Sequence, residues 1–349
     1  MVSNTFLRSL SVLAAIVSTS LFDSVNAAPV VEKRVPAGVP DYVVKYAPLV
    51  HLHSADPFFP SSPATHLTHS VPQINFTTIP SYPQPLTLSN LNALNNLGGD
   101  QIYLTSTDDP TVGPAWIKGE RPDAAGKTQS VTSVVIINDK GNGDLDAFYM
   151  YFYSWNWGGI VELINQNLGN HVGDWEHNMV RFKNGVPQWI WYSQHANGQC
   201  FAYNAVQKSG IRPLAFSANG SHAHYALPGP HDHTIPNLNL PLPNGVLVDH
   251  TDAGPLYDPI PSSYYYTYNP ASDSFTGFDG APTAFLEFVG KWGDKEYPKT
   301  DKRQKDFFGF KKYGGGPTGP RDKQLNRKDC CPDNGNLCIQ RRILVPRDS

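Results

Sequence analysis

The chain has 349 residues, among them 31 Pro and 29 Gly, with 16% charged and 12% aromatic residues and a formal net charge of −3. Few charges, many aromatics and many turn-formers argue against a coiled coil, a helical bundle or a basic nucleic-acid binder. They read as a secreted, β-rich, loop-rich globule, and the weak charge offers no field for a polyanionic or polycationic partner.

Residues 1–27 carry an early Arg8, an apolar run over 10–16 and small residues before the Ala27 position. That is the layout of a secretory signal peptide, too short and Ser-interrupted to span a bilayer. Residues 28–34 end in Lys33-Arg34, a dibasic site that suits removal of a short propeptide and places the mature start at Val35. Residues 35–290 are expected to form one all-β, β-sandwich-like domain with few short helices and long Pro-rich loops at 57–63, 80–85, 228–243 and 255–261. A helix is expected over 88–97, capped by Thr87 or Ser89 and stopped at Gly98-Gly99. Strands are expected over 131–138, 146–153, 177–183, 186–194 and 212–216. Residues 291–349 read as a basic arm and a cysteine-containing tail packed on the domain. No further stretch reaches the ~18 apolar residues of a membrane span. The expected location is extracellular, with a vacuolar or endomembrane lumen as the alternative.

The sequons at Asn75 and Asn219 fit N-glycosylation on that route. Cys200, Cys330, Cys331 and Cys338 lack the paired spacing of a zinc site and are expected to form two disulfides. One closes a small loop in the tail and one ties the tail to Cys200; whether Cys330 or Cys331 does which is open.

The chemistry concentrates in residues 174–195. Asn184-Gly185 predicts a two-residue type I′ hairpin turn. Lys183 then faces Val186, and the same register puts Asp174 opposite His195 and Glu176 opposite Ser193, all four on one face. Val180, Phe182, Trp189 and Trp191 continue that face, so the acids adjoin an apolar core, where carboxylates are costly unless paired or metal-bound. A bulge would shift this register by one, and a structural Asp–His hydrogen bond closing the sheet end is the plainer alternative.

Elsewhere, His51/His53, His222/His224 and His231/His233 are H-x-H pairs whose side chains share one side of an extended segment. Surface loop histidines are the ordinary reading of such pairs. No H-E-x-x-H or G-x-S-x-G pattern is present, which leaves a Ser221–His195–Asp174 triad conceivable by residue type alone. Asp249 and Asp252 suit an oxygen-rich cation site or, more simply, a turn before Gly254. Trp155 and Trp157, just ahead of the acidic hairpin, are the candidates for a ligand wall.

The blocks YAPLVHLHSADPFFPSS, NHVGDWEHNMVRF, YSQH, NGSHAHY and DHTDAG, spanning 46–258, resemble the fungal and plant family named for vacuolar protein sorting factor sixty-two. That family's name reflects a sorting phenotype and brings no settled reaction. YSW followed by NHVGDWE also resembles the heptapeptide G-H-R-H-D-W-E of necrosis- and ethylene-inducing-like toxins, secreted β-sandwiches that use a divalent cation to recognise plant sphingolipid head groups. This second resemblance implies metal-binding roles for His171, Asp174 and Glu176. Asn170 and Gly173 depart from the pattern, and Asn156 or Glu162 would have to replace a further upstream acid.

The leading expectation is a secreted protein that binds a divalent cation (Mg²⁺, Ca²⁺ or Mn²⁺, with Zn²⁺ as a variant) and a glycan or glycolipid head group. Its metal ligands are His171, Asp174 and Glu176, and its ligand contacts Trp155, Trp157, His222 and His224. The alternative is a hydrolase of an extracellular carbohydrate or ester with Glu176 or His195 as general base. Same-face residues two apart on a strand sit closer than an inverting glycosidase requires. A third reading is a luminal factor or cargo in vacuolar protein sorting. Neither a nucleic-acid partner nor a transmembrane anchor is expected.

Overall fold

The computed structural model describes residues 35–161, 165–232, 247–307, 309–336 and 338–345. The signal peptide, Lys33-Arg34, Glu162 and His233 lie outside the described residues. The strands that position the site are β1 (Leu49–His51), β2 (Ser133–Gly141), β3 (Asp144–Asn156), β4 (His171–Lys183), β5 (Val186–Gln194), β6 (Asn197–Ala202), β7 (Lys208–Ser209) and β8 (Arg212–Ser217). They continue with β9 (His224–Tyr225), β10 (Gly229–Asp232), β11 (Val248–Thr251), β12 (Leu256–Tyr257), β13 (Ser263–Asn269), β14 (Ser274–Gly277) and β15 (Gln340–Arg341).

Eight of these make the main sheet, in the order β14-β13-β2-β3-β4-β5-β6-β15. It is antiparallel except at the β13–β2 and β6–β15 pairs. A smaller sheet runs β7-β8-β1-β12, with β9 also pairing β8. β10 and β11 form a separate two-stranded ribbon.

β3 reads DLDAFYMYFYSWN, apolar almost throughout, because both of its faces are covered. Tyr149, Tyr151 and Tyr153 pack with Val180 and Phe182 of β4 against Val50, Ala215 and Tyr257 of the smaller sheet. Phe148, Met150 and Phe152 face the other way with Trp175 and Met179, against Leu91, Leu94, Phe285 and Trp292. Period-two alternation thus divides one strand pair between two cores.

The helix expected over 88–97 is a 3₁₀ helix, Leu91–Leu97. Its two buried residues, Leu91 and Leu94, are three apart, which matches three residues per turn. Asn90, rather than Thr87 or Ser89, is its N-cap, with no side-chain bond to the helix; its Oδ1 instead accepts the upstream Thr87 N–H at 2.8 Å.

The hairpin turn forms as expected, with Asn184 and Gly185 at φ 50° and 75° and Lys183 opposite Val186. The expected register then fails. Pro187 lies opposite Phe182, but Trp189 lies opposite Arg181, a bulge at the point where a proline has no N–H to give the ladder. Trp189 and Trp191 therefore join the Trp175 side of the sheet instead of continuing the Val180 and Phe182 face.

The tail is tied down by Cys200–Cys330 and Cys331–Cys338, so Cys330 is the residue that reaches Cys200. Beside it Arg327 is buried, 5.1 Å from the Phe148 ring centre and 5.2 Å from that of Trp191. Its guanidinium donates to His177 Nε2 at 2.7 Å and to the Lys323 carbonyl at 2.9 Å. Among the described residues, no helix is long and apolar enough to cross a membrane.

Candidate functional site

Pairing with β3 sets Tyr153 beside Asp174, Tyr151 beside Glu176 and Tyr149 beside Asn178. The three polar residues of β4 take the face toward the smaller sheet, where the turn between β8 and β9 brings in His222 with φ 56°. His222 Nδ1 lies 3.1 Å from Asp174 Oδ2, and His222 Nε2 lies 3.5 Å from Asp56 Oδ2. The imidazole between these two carboxylates stacks flat on Tyr153, at 3.7 Å between ring centres. Backbone N–H groups of Phe58 and Gly220 fix Asp56 at 2.9 and 2.8 Å. All three ionisable groups are buried. Burial raises the Asp56 pKa. It acts on Asp174 too, but the His222 hydrogen bond and the nearby His171 outweigh it and hold that carboxyl below its ordinary value.

Glu176 has the opposite environment. Burial first, and then the Asp174 charge, push its pKa to about 8, so it carries a proton near neutrality. It accepts a hydrogen bond from the Ser193 hydroxyl. Two residues along, Asn178 Oδ1 receives Tyr151 Oη at 3.0 Å and lies 2.9 Å from His224 Nδ1. Burial lowers the His224 pKa to about 3. A neutral ring donating through Nδ1 leaves Nε2 as a buried acceptor, and that atom has no hydrogen-bond partner.

The fourth carboxylate, Asp249 on β11, gathers Ser221, Tyr225 and His195. Ser221 Oγ donates to Oδ1 at 2.7 Å, while Tyr225 Oη at 2.6 Å and His195 Nε2 at 2.9 Å meet Oδ2. The His195 side chain is 38% exposed and the Asp249 side chain 8%, so His195 stands at the mouth of the cluster. Burial would lower its pKa; the Asp249 carboxylate outweighs this and raises it to about 9.

One expected pairing is thus replaced. His195 pairs with Asp249 and not Asp174, whose partner is His222. Ser221 also bonds Asp249, so no Ser221–His195–Asp174 triad forms. Asp252 stands apart, held by a distant segment: it accepts the Ser54 N–H at 2.8 Å and the Ser54 hydroxyl, with His53 Nε2 at 3.7 Å. His51 Nδ1 bonds the Gly254 carbonyl at 3.1 Å, and His231 stacks on Tyr225 at 3.8 Å. Trp155 packs with Ile117 and Val172, and the Trp157 ring backs onto Gly220. Asn75 is exposed and Asn219 half-buried.

His171 is half-buried, with Nδ1 2.7 Å from the Gly173 carbonyl oxygen. Burial holds its pKa below the ordinary value. Gly173 has φ 72°, and a Cβ there would lie 1.7 Å from the Trp292 carbonyl oxygen. No side chain fits at this position. The chemistry of His171, Asp174 and Glu176 suits a hard or borderline cation. Each is held by a protein partner, however, and among the described residues no three His, Cys, Asp or Glu side chains converge as metal ligands do.

Asp56, Tyr225 and Lys323 were not visible as site residues in the sequence. Lys323 pulls against the rise of the Glu176 pKa from a segment almost 150 positions away. The HSADPFF block did contain Asp56, but nothing local marks it as a partner for His222.

The family model for vacuolar protein sorting-associated protein 62 matches residues 147–296. Vacuolar protein sorting-associated protein 62 of Saccharomyces cerevisiae is 35% identical over 324 residues, covering 84% of this chain and 68% of that one. TDA6 of the same yeast, provisionally named as a vacuolar protein sorting-associated protein, is 36% identical over 334 residues, covering 85% and 69%. Among solved structures, necrosis and ethylene inducing protein 2 from the causal agent of cocoa's witches' broom disease superposes with a TM-score of 0.27 at 12% identity, over 56% of this chain and 71% of that one. NLPPya in complex with mannosamine gives a TM-score of 0.29 at 15% identity, over 57% and 72%. On its identity to the yeast proteins and the length they share, this chain belongs to the vacuolar protein sorting-associated protein 62 family.

Proposed function

We propose that the inner face of β4 binds an oxygen-rich polar ligand, of the glycan or glycolipid head-group class, with a divalent cation beside Asp174 and Glu176. The observation that supports this is the buried set of Asp56, Asp174, Glu176 and Asp249 with His222 and His224, opening to solvent at His195. Burying that many ionisable groups costs stability, and such clusters concentrate at functional sites. Protonated Glu176 and the His195 imidazolium are donors for ligand oxygens, while Asp174, Asp249 and His224 Nε2 are acceptors for hydroxyls. A bound divalent cation would supply the positive charge that lets Asp174 and Glu176 ionise together. For it to enter, Asp174 and Glu176 must loosen their bonds to His222 and Ser193.

One observation favours a second reading: a carboxyl still protonated near neutrality is equipped as a general acid, so a hydrolase centred on Glu176 is the alternative. The two disulfides and the sorting-associated relatives fit a secretory or vacuolar-lumen route. We extend that to secretion, with glycans at Asn75 and Asn219. Ligand-observed NMR with monosaccharides, with and without Ca²⁺ or Mn²⁺, tests the binding reading. Saturable sugar signals that disappear in the folded Asp174→Asn/Glu176→Gln variant are expected. Unchanged binding in that variant, or none in the wild type, would overturn it. Turnover of a glycoside or ester that Glu176→Gln abolishes would instead favour the hydrolase.

A further inference from the structure

A second concave site lies away from the β4 cluster, where residues 105–110 meet 294–303. It is a cavity of about 480 Å³ whose lining includes Phe76, Asp108, Asp294, Lys295, Tyr297 and Arg303. Asp294 forms part of the wall and is 8% exposed. Its carboxylate accepts the Ser106 hydroxyl at 2.7 Å, and among the described residues it has no ion pair. The Ser106 backbone N–H also supports it and the Arg303 charge acts on it, but a buried carboxylate without an ion pair is costly.

The cations nearby are committed elsewhere. Lys295 is next to Asp294 in sequence, yet its ammonium is bonded to Asn75 Oδ1 and lies 5.5 Å from the Phe76 ring centre. Arg303 is paired to Asp301 at 2.7 Å and to Asp109 at 3.4 Å, and stacks on Tyr297 at 4.0 Å. Asp108 receives the Trp116 indole N–H at 3.0 Å and lies 3.4 Å from His69 Nδ1. The lining therefore has four carboxylates against two cations, and of the four Asp294 is the one without an ion pair among the described residues. Beside them the Phe76 ring, 48% exposed, offers an apolar wall.

We propose that this cavity binds a small organic ammonium ligand, its charged head pairing with Asp294 and its short apolar body lying against Phe76 and Tyr297. An ammonium ion supplies the charge that Asp294 lacks, and the apolar body removes Phe76 from water. A bare anion is disfavoured by the same surplus of carboxylates.

The probe is n-pentylammonium, with n-pentanol as its neutral counterpart, titrated into the full-length protein by ligand-observed NMR. Saturable binding of the ammonium and not the alcohol is expected, weakened at least tenfold in Asp294→Asn. Lys295→Ala removes a competing positive charge without touching Asp294, so it is expected to bind the probe more tightly. This second variant keeps the test open if Asp294→Asn does not fold. Equal binding of ammonium and alcohol, absence of binding, wild-type affinity in folded Asp294→Asn, or weaker binding in Lys295→Ala would each overturn the proposal.

Discussion

Asp249 receives Ser221, Tyr225 and His195 on two oxygens, and its charge keeps the His195 imidazole protonated at a half-open position. Asp249→Asn should therefore let the His195 pKa fall from about 9 toward its ordinary 6.5. NMR titration of the His195 ring protons checks this, and a value that stays near 9 would assign the shift to other groups. Glu176 makes a second residue-scale prediction. Its folded pKa of about 8 exceeds the ordinary 4.5, so the folded protein holds a proton that the unfolded chain sheds. Stability linked to that proton is lost as pH rises from about 4.5 to 8, by up to about 1.4 kcal/mol per pH unit. Glu176→Gln should melt above the wild type at pH 8 and show little advantage at pH 4.5. Identical pH profiles for the two proteins would mean that Glu176 is ionised in the fold.

At the scale of elements, the β4–β5 hairpin shows what the sequence reveals and what it conceals. The strand pattern and the Asn-Gly turn are legible because apolar runs and positive-φ residues leave local signatures. The bulge after Pro187 was also open to inference, since a proline inside a ladder belongs at a bulge or an edge. It is what moves Trp189 and Trp191 to the far face. The partners of the acids were not legible: Asp56, His222 and Asp249 come from separate segments, and only tertiary packing joins them. The same long-range dependence makes two changes costly. Gly173→Ala would drive a Cβ into the Trp292 carbonyl oxygen at positive φ and should lower stability by about 2–4 kcal/mol, readable in the denaturation midpoint. Cys200 and Cys330 are 130 positions apart, and a loop of that size is worth about 4–5 kcal/mol. The Cys200→Ser/Cys330→Ser variant should lose much of that. A midpoint within experimental error of the wild type, for either variant, would contradict the packing described.

For the whole molecule, buried titratable groups pull in opposite directions. The folded pKa values of Glu176 and His195, about 8 and 9, lie above the ordinary 4.5 and 6.5, so both contributions are lost as pH rises. His66 and His224 are lowered to about 3 by burial, and His171 and His177 are also lowered. Their contributions are present above about 6.5 and lost as pH falls toward 3. Asp294, raised to about 6 by burial, and Asp56, also raised, oppose the histidines on the acid side but are outnumbered by them. A melting-temperature maximum between about pH 6 and 7 is predicted; a steady rise to pH 9 would contradict it.

The proton on Glu176 also makes the proposed cation site directly measurable, because a cation that takes up this carboxyl must displace its proton. Calorimetric titration of Ca²⁺ or Mn²⁺ at pH 6.5, repeated in buffers of different ionisation enthalpy, counts the protons released. About one proton per bound ion is predicted for the wild type, and none for Glu176→Gln. Binding without proton release, or no binding, would mean that the buried acids of β4 are not a cation site.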